Sequence, residues 1–251
     1  MLKVDLNSDI GEGFGPWATG DDAGLMEVIS SANIACGFHA GDPDVMATTM
    51  DLAQRKGVAL GAHPGFPDLQ GFGRRRMGLS PGAIRNLITY QLGAAQAMAR
   101  AAGGSLRHFK LHGALSNMAS EDAALARTCF EAALRVQSDL VIMVQPLTAM
   151  DQAVRDLGCA WAGEIYADRS YNDDATLCAR SAPGAVLHDP TEIATRMLEM
   201  LRAGAIIARS GKQIRCRIDT ICVHGDTAGA LGVARKLRQS LEAADVAIAP
   251  F

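Results

Sequence analysis

A chain of 251 residues is long for an ordinary domain but suits one α/β barrel, which typically takes about 250. Its 24 Lys and Arg against 27 Asp and Glu leave a formal net charge of −3 and a pI near 6.1, which supplies no basic footprint for nucleic acid and no polybasic anchor for a membrane. No stretch approaches the roughly 20 apolar residues of a membrane span, MLKVDLNSD carries no apolar signal region, and six cysteines without C-x-x-C spacing read as reduced thiols, so the expectation is a soluble, cytoplasmic protein acting on a small molecule.

In chain order, a strand over 2–7 leads to a helix over 21–31, and a second strand over 33–37 leads to a helix with Asp42 as N-cap, Pro43 in its first turn and Gly57 as its stop. Strand 58–62 precedes a helix opened by Ser80-Pro81 and closed at Gly103, in which Ile84, Leu87, Ile88, Leu92, Ala95 and Met98 keep helical spacing. Strands at 106–111, 140–145 and 160–165 alternate with helices at 120–135, 147–157 and Asp189-Pro190 to Gly204. A hairpin over 205–217 turning at Ser210-Gly211 comes before the last strand, 219–224, and the last helix, 227–243. Seven strands each followed by a helix predict a parallel sheet that right-handed crossovers close into a TIM-barrel-like (β/α) barrel, with an open doubly wound sheet as the rival; no linker or repeat divides residues 1–251 into more than one domain.

Side chains alternate faces along a strand, so one face can be read off by parity. Asp5 and Asn7 share a face, as do Asn33, Ala35, Gly37 and His39; Ala59, Gly61 and His63; Lys110 and His112; Ala160, Ala162 and Glu164; and Thr220, Cys222 and His224. Branched apolar residues normally fill a barrel, so this small or polar face predicts a roomy mouth at the carboxyl ends of the strands, where barrel enzymes keep their chemistry. Four of the six histidines, His39, His63, His112 and His224, close an apolar run with glycine within two residues, which marks them as rim residues rather than scattered ones.

Asp9 and Glu12 in NSDIGEGFG, with Asp226 after His224, add carboxylates at the same end for acid–base work or metal binding; Asp226 is equally an N-cap for the final helix. These histidines with Asp9 and Asp226 have the donor types for a metal, and the sequence does not say whether one is bound. His108 and His112 have the spacing of a helical zinc motif, but on a strand they lie about 13 Å apart and cannot share an ion; His188 reads as structural. Arg74, Arg75 and Arg76 in GFGRRRMG read as a carboxylate or phosphate clamp or, equally for any one of them, as a solvated surface or subunit contact. Beyond the sixth strand, Glu164 is the stronger catalytic candidate, while Asp168 and Arg169 are placed to pair with each other. There is no GxxxxGK[ST] loop and no GxSxG elbow.

DLNSDIGEGFG (5–15), SANIACGFHAGDP (31–43), GAHPGFPDLQGFGRR (61–75), KLHGAL (110–115), YADRSY (166–171) and CVHGD (222–226) together resemble the lactam-utilisation family, also called LamB/YcsF, in order and over nearly the whole chain. The resemblance implies a seven-stranded barrel of the glycoside hydrolase/deacetylase type. It also implies hydrolysis of 5-oxoproline to L-glutamate coupled to ATP hydrolysis, with ATP and magnesium as co-substrate and with two further 5-oxoprolinase subunits, of B and C type. On that reading water attacks an activated carbonyl carbon with Asp9, Glu164 or a histidine as base, while Asn7, Lys110, Arg74, Arg75 or Arg169 hold substrate and phosphate. The family usually has proline and tyrosine where this chain has Leu111 and Ser116, and commonly glycine where it has Ala175. Two other readings stay open: a stand-alone metal-dependent deacetylase or amidohydrolase, and a non-catalytic substrate-binding subunit.

Overall fold

The structure, a computed structural model, describes residues 2–179, 181–225 and 229–251. Its strands are β1 (Lys3–Ile10), β2 (Ser31–Ala35), β3 (Ala59–His63), β4 (Leu106–Phe109), β5 (Val141–Val144), β6 (Trp161–Tyr166), the hairpin pair β7 (Ala205–Ile207) and β8 (Gln213–Arg215), β9 (Thr220–Cys222) and β10 (Ala247–Ile248). Strands β1 to β6 pair in sequence order and all in parallel; β9 then pairs with both β6 and β1, so seven strands close a barrel and the open-sheet alternative is excluded. Strands β7 and β8 form the expected antiparallel hairpin outside it.

The helices are α1 (Asp22–Met26), α2 (Pro43–Lys56), α3 (Pro81–Ala101), α4 (Gly113–Glu121), α5 (Ala123–Val136), α6 (Ala149–Leu157), α7 (Pro190–Ala203) and α8 (Ala230–Ala243). The capping chemistry acts as the sequence implies. Asp42 accepts from the Asp44 and Val45 amides, Ser80 from Ala83, and Asp189 from Thr191 and Glu192, each ahead of a proline in the first turn.

Three departures have local causes. Helix α1 stops after five residues because the Ser30 amide already donates to Leu6 O at 2.8 Å, which draws the chain into β2 two residues earlier than expected. The fourth crossover holds two helices instead of one, since Asp122 caps α5 by accepting from the Ala124 and Leu125 amides and so ends α4. The short β10 pairs with the start of β1, and Phe251 O accepts from the Arg107 guanidinium at the amino-terminal end of the barrel.

The apolar core lies between the barrel wall and the helices. Leu6, Ile34, Leu60, Phe109, Ile142, Ile165 and Ile221 face outward onto Met50, Ile88, Phe130, Val154, Met197 and Leu237. The lumen is polar, as parity predicts, but below the rim it is filled rather than roomy. Asp5 accepts from the Ser30, Ser31 and Thr220 hydroxyls; Asn7 Nδ2 donates to Thr220 Oγ1; Asn33 Nδ2 donates to Asn7 Oδ1 and Asp9 Oδ1. His108, whose strand position points inward, fills the volume over Gly61: a Cβ there would stand 2.0 Å from its Nε2. Hydrogen bonds take the place of branched side chains in this lumen, so the open space is confined to the mouth.

Candidate active site at the barrel mouth

The chain stays extended beyond the strand ends, which is why parity still holds at the rim. The Lys110 amide donates to Ala62 O and the His112 amide to Pro64 O, prolonging the β3–β4 pairing past Phe109. Lys110 therefore projects into the lumen. Its ammonium donates to Asp9 Oδ1 at 2.9 Å and to Cys222 Sγ at 3.3 Å, and lies 2.8 Å from Glu164 Oε1. Burial opposes its charge, but Asp9 and Glu164 outweigh it and hold the Lys110 pKa well above the ordinary value. Burial likewise opposes ionisation of Asp9, and the Lys110 ammonium against its Oδ1 overcomes it, keeping that carboxyl well below its usual range. Burial pushes the Cys222 thiol and the Tyr166 phenol up, so both are neutral near pH 7 and Cys222 is no thiolate nucleophile.

Above this ion pair is a cavity of about 270 Å³, lined by Asp9, His63, Lys110, His112, Tyr166 and His224 among others, with Arg74 and Arg169 adding positive charge. His224 Nδ1 donates to Asp168 Oδ1 at 2.7 Å, and its ring stacks on Tyr166 with centroids 5.3 Å apart. The carboxylate fixes the proton on Nδ1 and leaves Nε2 as the basic nitrogen.

Behind one wall lies a second group. His39 Nε2 is 3.3 Å from Glu12 Oε1, His112 Nδ1 is 3.4 Å from the same oxygen and 3.0 Å from His63 Nε2, and the His39 and His112 rings stack at 3.6 Å. The loop after β3 covers this group. Phe72 O accepts from His112 Nε2 at 2.8 Å, and Gly73, at φ +63, passes so close that a Cβ would meet His39 Cβ at 2.7 Å.

The residues expected at the site separate by position. Asp9, His63, Lys110, His112, His224, Arg74 and Arg169 meet at the cavity. Glu12 and His39 sit in the cluster behind it; Asn7 and Glu164 are buried supports, Asn7 under Asp9 and Glu164 against Lys110. Asp226 lies outside the described residues. Arg75, read as part of an anion clamp, is instead turned onto Asp68, which also accepts from the Gly71 amide, so it braces the loop; Arg76 pairs with exposed Glu121. Asp168 pairs with His224, a partner that sequence order does not reveal. Tyr166 escapes the sequence reading, although it stands two residues after Glu164 on the same face, where strand parity can find it. Ser116 and Leu111 both line the cavity, so the two departures near the fourth strand fall on the wall that a ligand would touch. Ala175 takes φ +68, the left-handed conformation that glycine adopts without strain.

Comparison with known proteins agrees with this architecture. The A subunit of a 5-oxoprolinase from Ruegeria pomeroyi is 59% identical over 251 residues, covering 100% of this chain and 99% of the relative. The crystal structure of a lactam utilization protein from Thermus thermophilus superposes with a TM-score of 0.95 at 42% identity and covers 100% of both chains. The catalytic domain of a peptidoglycan N-acetylglucosamine deacetylase from Eubacterium rectale, at 10% identity, 99% and 87% coverage and a TM-score of 0.52, shares the fold alone. The family match runs over residues 4–251, from the first strand of the barrel to the C-terminus, and the chain belongs to the LamB/YcsF family.

Proposed function

We propose that this chain opens the ring of 5-oxo-L-proline to give L-glutamate, as one subunit of an ATP-coupled 5-oxoprolinase, and that the reaction takes place in the cavity above Asp9 and Lys110. The observation that carries the reading is the full-length likeness to a 5-oxoprolinase A subunit, 59% identical across 251 residues. The cavity's chemistry supports it. A small polar chamber with Lys110, Arg74 and Arg169 in its lining suits a ring bearing a carboxylate and, transiently, a phosphoryl group.

An unstrained lactam is a poor electrophile, which gives ATP its role. Transfer of the γ-phosphoryl group to the lactam oxygen expels ADP and leaves an O-phosphorylated imidate. Water then adds to the ring carbon and loses its proton to His224 Nε2, with Asp168 holding the imidazole in the right tautomer. Cleavage of the C–N bond requires a proton on the ring nitrogen and gives an acyl phosphate; a second water releases glutamate and phosphate. Asp9, kept ionised by Lys110, orients the water and balances the imidazolium that forms. The sequence has no GxxxxGK[ST] loop, so ATP with its magnesium, and the phosphorylation step, fall on this reading to partner subunits of B and C type.

The test is glutamate release from 5-oxoproline, with and without ATP and magnesium, by the chain alone and mixed with its candidate partners. Release that needs both ATP and the partners supports the reading. Associated, folded subunits that release no glutamate reject the substrate, and release without ATP rejects the coupling.

A further inference from the structure

The cluster behind the cavity wall raises a problem of proton placement. His63 Nδ1 lies 3.0 Å from Lys110 O, and a carbonyl only accepts, so Nδ1 carries the proton and Nε2 presents a lone pair. His112 Nε2 lies 2.8 Å from Phe72 O, so for the same reason its Nδ1 presents a lone pair. These two lone-pair nitrogens face each other at 3.0 Å. Around them stand Glu12 Oε1, 3.4 Å from His112 Nδ1, and Asp9 Oδ2, 3.4 Å from His63 Nε2. Neutral rings in these tautomers have no hydrogen to place between them, and the surrounding oxygens add negative charge. A positive centre between them, an added proton or a metal ion, satisfies both lone pairs.

We propose that Glu12, His39, His63 and His112 form a binding site for one divalent transition-metal ion of the zinc type, set into the wall of the cavity. The four ligand atoms lie within 4.8 Å of one another, and all four residues are buried. Three imidazole nitrogens and one carboxylate oxygen favour zinc or a similar ion over magnesium or calcium, which prefer all-oxygen shells. Ligand spacing agrees: metal–ligand distances of about 2.0–2.1 Å in a tetrahedron put neighbouring ligand atoms roughly 3.3 Å apart. Three of the six separations here are 3.0, 3.3 and 3.4 Å, and all lie within 4.8 Å, so small rotamer shifts bring the set to that spacing. The carbonyls of Lys110 and Phe72 then serve as outer partners that fix the ring orientations of two ligands. Among the described residues His39 Nδ1 has no such partner, and the ring is held by its stack on His112.

A proton shared between His63 and His112 is the competing solution; it accounts for that one contact, whereas an ion accounts for the convergence of all four ligand atoms. A second trio, Asp9, Cys222 and His224, is also close-set, but the Lys110 ammonium already lies against both Asp9 and Cys222 and repels an incoming ion. The site is independent of the lactam reading. Because His63 and His112 also line the cavity, an ion held there would add positive charge to the wall that a bound anion or water faces.

The experiment is metal analysis of the full chain purified without chelator, followed by chelation and titration with Zn(II) and, separately, Co(II). One ion per chain, with the visible spectrum of four-coordinate Co(II) and no thiolate charge-transfer band, is the expected result. Glu12→Gln and His39→Gln should each raise the dissociation constant at least ten-fold, while Cys222→Ser leaves it unchanged. If a ligand variant fails to fold, the Co(II) spectrum of the unmutated chain still decides. Folded chain that takes up no stoichiometric metal overturns the proposal in favour of a shared proton. A thiolate band, or binding unaffected in folded Glu12→Gln and His39→Gln variants, overturns it in favour of another site.

Discussion

Replacing His108 by glutamine should flatten the acid side of the stability profile. The ring is fully buried in the lumen, donates Nε2–H to Asn33 Oδ1 at 2.8 Å, and has its pKa pushed down to about 3 by burial, with Lys110 adding to the effect. A histidine in the unfolded chain titrates near 6.5. Between those values the unfolded chain takes up a proton that the folded chain refuses. The folded pKa being the lower one, stability is full above about pH 6.5 and declines as pH falls toward 3. The slope is about 1.4 kcal/mol per pH unit, and integration from pH 7 to pH 5 gives roughly 2 kcal/mol for this one group. Glutamine offers an amide N–H to Asn33 and has no titration, so the variant should lose about 2 kcal/mol less than the unmutated chain over that interval. Guanidinium denaturation of both proteins at pH 7 and pH 5 measures the difference, and any general loss of stability cancels. Equal losses in the two proteins would refute the description of His108 as a buried neutral ring.

Lys110→Met leaves Asp9 and Glu164 buried without their shared cation; it should cost about 3–5 kcal/mol and stop glutamate formation, while adding Glu164→Gln recovers stability without turnover, as denaturation and product assays would register. Asp168→Asn keeps the shape of the His224 pair but favours the wrong tautomer, so kcat of the assembled enzyme should fall by about 10²- to 10⁴-fold with the fold intact by circular dichroism. Arg76→Ala breaks only an exposed pair with Glu121; the expected change is under about 1 kcal/mol with unaltered turnover, and a large loss of turnover would return that arginine to the site. Ala175→Gly relieves a φ of +68 and should raise stability by about 0.5–1 kcal/mol in thermal denaturation.

Much of the fold was legible because its punctuation is chemical. Asp-Pro and Ser-Pro starts name the helices, and period-two polarity names both the strands and the face that becomes the lumen. Helix α4 escaped because it begins directly at Gly113 with no side-chain cap, and β10 because two residues carry no period. At the site, parity brought Asp9, His63, Lys110, His112 and His224 to one mouth. It could not say which of them would touch. The Asp168–His224 bond spans 56 residues and the His63–His112 contact spans 49, both between neighbours created only by barrel closure or by pairing of β3 with β4. Adjacency left two questions open that only the fold answers: Asp168 bonds His224 across the barrel, and Arg74, Arg75 and Arg76 face a cavity, a loop carboxylate and a surface glutamate.

The polar lumen explains why such a mouth can exist at all. An apolar interior would leave Lys110, Asp9 and Glu164 buried beside surfaces unable to bond them, at a cost of several kcal/mol per charge. Here Asp9 rests on Asn33, Asn33 on Asn7 and His108, and Asn7 on Thr220, which in turn donates to Asp5. Each bond restricts the rotamer of the side chain above it, so the carboxylate facing the cavity is positioned by a column running down the barrel axis. Asp9 is also where the two halves of the mouth meet, 2.9 Å from the Lys110 ammonium on one side and 3.4 Å from His63 on the other. A change deep in the column, such as His108→Gln, therefore ought to reach the cavity through Asn33 and Asp9, and weaker turnover in a variant that remains fully folded would be the sign of that transmission.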